Sequence, residues 1–197
     1  MRRPTISDTA ALAEFIDQNS AFLVQKGIYE YSRARAGHYS KVLFQEAEFQ
    51  HAADQSRWRA YPLGLAMVGE LADGVLGKPA GDLRLPTLGA LATVVLSVFD
   101  RHPVPATLGE TEWSKARVDL ANRIDFIGLH PAKLAIDIPE SLAKDYFALM
   151  PIHKSLRGSD FPTIKNYLKV TLCNMHDELT RRMDARKVGE LLRARTN

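Results

Sequence analysis

Between residues 164 and 183, apolar side chains recur at three- and four-residue steps: Ile164, Leu168, Leu172, Met175, Leu179 and Met183. That spacing lines one face of an α-helix, with 3.6 residues per turn, and cannot line one face of a strand, with a period of 2. The same helical period recurs along the chain, and no stretch sustains strand-like alternation. The expectation is an all-α, single-domain helical bundle over residues 1–197, with about six to eight helices. With 197 residues, 46% of them hydrophobic, the chain can bury such a core without metal or disulfide staples.

Capping and breaking residues place the elements. Ser7 or Asp8 caps a first helix that runs to about Ala36, with Glu14 and Asp17 early and Arg33 and Arg35 late, as the helix dipole favours. Gly37 stops it. A second helix is expected over 38–60, broken or kinked near Pro62, with helical pattern resuming to about Val75. GKPAGDLRLP (77–86) reads as a loop. Pro86 then opens a helix to Phe99 that is apolar on every side and so is expected at the centre. RHPVPATLGE (101–110) is a loop, 110–128 an amphipathic helix, and HPAKLAIDIP (130–139) irregular. Pro139 starts a short helix that ends before Pro151. RGSDFP (157–162) precedes the striped helix, and a last short helix carries Val188, Leu191 and Leu192.

Composition narrows the function classes. One cysteine, Cys173, cannot form an internal disulfide, which points to a reducing, cytoplasmic setting. The N-terminal MRRPTISDTAALAEF has no apolar core of a secretory signal. The longest apolar run, LGALATVVLSVF, has 12 residues. A bilayer about 30 Å thick needs roughly 20 residues, so no membrane span is expected. The net charge is +3, and the basic C-terminal stretch interleaves Asp177, Glu178, Asp184 and Glu190 with its arginines. This is a solvated helix face, and nucleic acid is not an expected partner.

YEYSRARAGHYSK (29–41) concentrates polar chemistry. Projected on a helix, Leu12, Phe15, Ile16, Phe22, Leu23 and Tyr29 share one side, and Val24, Ile28, Tyr31 and Arg35 the opposite one. A helix with two apolar sides suits the middle of a bundle or an oligomer interface. Arg33 and Arg35 then need partners, because an unpaired buried charge is costly. Glu46, Glu48 and Asp54 are the expected ones. Otherwise the arginines grip a bound anion: Tyr31, Arg33 and Arg35, with Arg57 and Trp58, would hold it, while His38 or His51 with Glu46 or Glu48 exchanges protons.

Phe44, Glu48, His51, Gln55 and Trp58 share a helix face, and Glu48-x-x-His51 has the ligand spacing of di-iron bundles. Such sites need two of these pairs, and no second occurs, so no metal and no cofactor are expected. A helical cofactor binder using one histidine is a third option. Cys173-x-x-His176 offers two soft ligands where a structural zinc site needs about four. No P-loop, Gly-x-Gly-x-x-Gly or Gly-x-Ser-x-Gly is present. His102 and His130 each precede a proline and read as loop boundaries. Trp58 and Trp113 read as partial-core anchors.

QKGIYEYSRARAGHYSKVLFQEAEF (25–49) and SRWRAYPLGLAMVGELADGV (56–75) resemble stretches of an uncharacterised family of bacterial all-helical proteins, some of whose members carry an esterase-like label. The resemblance implies a helical fold and raises a hydrolase as one option. It transfers no catalytic residue, since the nucleophile motif is missing. The leading expectation is a non-enzymatic protein acting through a protein-interaction or homo-oligomer surface on helices 1 and 2. The alternative is an enzyme or small-molecule binder with an anion pocket between those helices.

Overall fold

The computed structural model describes residues 4–195 and is an all-α bundle. Its α-helical segments are α1 (Thr9–Ala36), α2 (Ser40–Leu43), α3 (Ala47–Ala80), α4 (Arg84–Phe99), α5 (Glu110–Ile127), α6 (Ala143–Ala148), α7 (Lys154–Arg157), α8 (Phe161–Arg182) and α9 (Ala185–Ala194). Two of these, α2 and α7, are single turns. Among the described residues the only β-type pairing is a bridge between Ile6 and Met183, which ties the start of the chain to the α8–α9 junction.

Local chemistry explains the boundaries of α1. The Asp8 carboxylate accepts from the Ala11 N–H at 2.8 Å, satisfying one of the unpaired donors of the first turn. Gly37 ends the helix at φ 55°, a left-handed conformation that costs a glycine nothing. The α8 stripe is buried as its spacing predicts, from Ile164 through Leu179.

Three boundaries differ from expectation. The segment after Gly37 is a 3₁₀ turn and the single turn α2; the long helix begins only at Ala47. From there α3 runs without interruption through Pro62 and Pro79 to Ala80, so 77–80 is helix and not loop. Proline in a helix interior costs about 3 kcal/mol, because it removes an N–H and crowds the previous turn. Burial of every residue from Ala60 to Asp73 outweighs that cost. The centre of the bundle is consequently α3, packed by α1, α4, α5, α8 and α9. α4 is not central: Leu85, Gly89, Thr93 and Ser97 lie on an exposed side.

The helical stretch 47–99 contains an 18-residue segment of mean hydropathy 1.4, long and apolar enough to cross a membrane, of which 44% is buried in the bundle. A packed core helix meets the same criterion.

Candidate functional site

Helix α3 carries Glu70 and Asp73, two carboxylates three residues apart inside an otherwise apolar stretch. Both are buried. They face a strap, residues 128–137, that leaves the end of α5 and crosses α3 before the 3₁₀ turn at Ile138–Ser141. A buried carboxylate must find compensation, and the two find it differently.

Asp73 is fully answered. Arg84, at the start of α4, donates to its Oδ2 through Nη2 at 2.6 Å and through Nε at 3.2 Å. The same guanidinium donates to the His130 carbonyl at 2.9 Å, fixing the strap to the core. Gly77 leaves room for it, since a Cβ there would sit 3.3 Å from the Arg84 side chain.

Glu70 is only partly answered. The Lys133 ammonium lies 2.9 Å from Oε1, yet no donor reaches that oxygen with hydrogen-bond geometry. The His130 Nε2 is 3.8 Å from the same oxygen. The other ring nitrogen of His130, Nδ1, is 2.9 Å from the Pro131 carbonyl, which can only accept, so Nδ1 carries a proton. In the neutral ring Nε2 is then a lone pair. Glu70 and His130 line a cavity of about 330 Å³ together with Asn122, Arg123 and Ser141, with Ala66, Phe126 and Leu142 as apolar wall. Chemically this is a place for an O–H or N–H donor beside a general acid–base pair.

A second polar cluster joins α1, α3 and the loop after α4. The Tyr61 hydroxyl donates to Asp17 at 2.6 Å, and His102 Nε2 stands 3.0 Å from that hydroxyl and 3.2 Å from the carboxylate. Burial, then the hydrogen bond to Asp17, pushes the Tyr61 hydroxyl far above its ordinary pKa. Trp58 meets His102 and Trp113 edge-on, and Trp113 stacks on Phe99 at 4.1 Å, so both tryptophans anchor this corner. The Tyr61 hydroxyl, the Asp17 carboxylate and His102 Nε2 are thus paired with one another.

The predicted site residues are placed as follows. Tyr31 and Arg35 converge on Asp160, at 2.9 and 3.2 Å. Arg33 pairs with Glu30 at 3.2 Å. Glu46, Glu48 and Asp54 are therefore not the partners of these arginines; Asp54 instead pairs with Arg57 at 2.6 Å, and Arg57 lies over the Trp58 ring. His38, Glu46, Glu48 and His51 are exposed. Val24 and Ile28 are fully buried within the single chain, so the second apolar side of α1 is covered by its own bundle. Among the described residues no three metal-binding side chains converge.

Glu70, Asp73 and Arg84 were missed by motif reasoning. The signal for the two carboxylates was nevertheless in LGLAMVGELADGV, a run otherwise too apolar to face water. Comparison of the chain with protein-family models, curated proteins and solved structures yields no match.

Proposed function

We propose that the protein binds a small molecule bearing a hydroxyl, amine or amide N–H in the cleft beneath the strap, with Glu70 and His130 handling its proton. The observation that carries this reading is the buried Glu70 side chain, which lines the cavity beside His130 and whose Oε1 is held by the Lys133 ion pair without a well-formed hydrogen bond. Such a group costs stability on its own, and a ligand donor would recover it. Lys133 balances the charge, so a neutral donor suffices.

The test is ligand-observed NMR against a panel of small diols, amino alcohols and primary amides. A binder should emerge whose signal is lost in Glu70→Gln and weakened at least tenfold in His130→Ala. Binding that survives Glu70→Gln unchanged would place the site elsewhere.

A protein-interaction or homo-oligomer surface on helices 1 and 2 is a second reading. It is supported by Tyr39 and Val42, which are 66% and 58% exposed at the α1–α2 junction. Light scattering decides it. A concentration-dependent mass that Tyr39→Ser with Val42→Ser abolishes would favour it, and a constant monomer mass would count against a homo-oligomer.

A further inference from the structure

Lys133 separates the Glu70 cleft from a second, larger chamber of about 550 Å³, within the roughly 300–1,000 Å³ of ligand pockets. This chamber lies between α3 and α8 and is roofed by the strap. Its walls are aliphatic: Leu71 from α3, Leu134 and Ile136 from the strap, and Ile138 from the turn that follows. Leu134 and Ile136 are themselves largely exposed, 72% and 47%, so they lie at the mouth of the chamber and offer apolar surface to whatever enters. Gly74 forms part of the α3 wall, and a Cβ added there would meet only the Lys133 carbonyl at 3.7 Å. The missing side chain is what leaves the space.

The charge of the lining is one-sided. Lys78, Arg84, Lys133 and His176 border the chamber, against a single carboxylate, Asp177. Arg84 is committed to Asp73 and Lys133 to Glu70. His176 rests 3.6 Å from Asp177. Lys78 makes no ion pair among the described residues and stands exposed at the rim. An aliphatic chamber with one uncommitted ammonium at its edge matches a molecule with an aliphatic chain and an anionic end.

We infer that this chamber binds an aliphatic anion, its chain against Leu71, Ile136 and Ile138 and its carboxylate or phosphate at Lys78. Neither the Glu70 carboxylate nor its cavity takes part, so the site stands or falls independently of the cleft on the other side of Lys133.

The only cysteine of the chain, Cys173, lines the chamber and is partly exposed, which makes it a built-in reporter. The experiment measures the rate at which a thiol-specific disulfide reagent labels Cys173, with and without octanoate, decanoate and decyl phosphate below their micelle concentrations. Decanoate should slow labelling at least tenfold at saturation. Its affinity should exceed that of octanoate by roughly tenfold, since each buried methylene is worth about three- to fourfold. Lys78→Glu, a substitution at an exposed rim position, should weaken protection by decanoate at least tenfold. Gly74→Leu should remove it, and Ile136→Trp, in the exposed strap, supplies a second block if Gly74→Leu fails to fold. Decyl phosphate protecting as well as decanoate identifies the recognised feature as the negative charge; decanoate alone protecting narrows the ligand to a carboxylate. Equal protection by decanol and decylamine, or none by any of the anions, overturns the inference.

Discussion

Arg84 holds three things at once: the buried carboxylate of Asp73, the His130 carbonyl and, more distantly, the Ile127 carbonyl. Asp73 is 2% exposed and Arg84 19%, so solvent screens this pair little. Removing one partner of a buried pair leaves the other charged and unpaired, which typically costs about 3–5 kcal/mol. Arg84→Met is therefore expected to lower the urea midpoint by an amount equivalent to about 3 kcal/mol or more. Adding Asp73→Asn should restore part of the loss; a double variant no better than the single one would show that the pair is not what stabilises the strap. A different residue-scale effect comes from Tyr31. Burial, and then its hydrogen bond to Asp160, push its hydroxyl from the ordinary 10.0 up to about 12. The unfolded chain would release that proton near pH 10, whereas the folded chain keeps it until about 12. The folded state thus binds more protons between those values. Its stability is complete below pH 10 and falls as pH rises toward 12. Tyr31→Phe should make that alkaline decline shallower without abolishing it, because Tyr167 is also raised to about 12, chiefly by burial. Denaturation at pH 9, 10 and 11 reads the slope, and an unchanged slope would refute the assignment.

At the level of the helix, two glycines in long helices should respond to the same substitution with opposite signs. A Cβ on Gly27 of α1 would fall 2.2 Å from the Tyr146 hydroxyl and 2.8 Å from the Tyr167 ring. Both tyrosines use that space to donate to α1 carbonyls, Tyr146 to Val24 at 3.1 Å and Tyr167 to Leu23 at 2.9 Å. Gly27→Ala must push α6 or α8 away, and a loss of about 1–3 kcal/mol is expected. Gly74→Ala meets only ordinary contact and removes the backbone freedom of a mid-helix glycine, so a gain of about 0.5–1 kcal/mol is expected. Thermal denaturation of the two variants settles both, and a stabilised Gly27→Ala would contradict the packing of Tyr146. The same elements show what was readable from residue order. The α8 stripe and the Asp8 and Gly37 ends of α1 were legible because they depend on local spacing and capping. Pro62 misled because a local rule about proline lost to tertiary burial, which only the assembled bundle supplies. In the same way GKPAGDLRLP has every mark of a loop, yet Gly77 serves to admit Arg84 and the helix continues to Ala80. Arg35 was legible as a charge in need of a partner, but Asp160 lies 125 residues away in sequence, and no spacing rule reaches that far.

Across the whole molecule, stability should be distributed unevenly. α3 from Ala60 to Asp73 is enclosed on all sides and hydrogen-bonded along its own axis, so its amides should exchange with solvent only when the bundle unfolds globally. The strap over 128–137 has no regular secondary structure and exposes Leu129, Leu134 and Ile136. What retains it is polar: the Arg84 bonds to backbone at its start and the Lys133–Glu70 ion pair at its middle. Few buried apolar contacts and exposed backbone are the features of segments that open locally at low free energy. Native-state hydrogen exchange should find the strap amides opening well below the global unfolding free energy, while those of Leu65 to Leu71 open only with it. Lys133→Ala should accelerate exchange in the strap and leave α3 unchanged, because it frees the roof without disturbing the core. Arg84→Met should accelerate both, since it also strands Asp73 inside. If the strap instead exchanges as slowly as α3, it is part of the core rather than a roof.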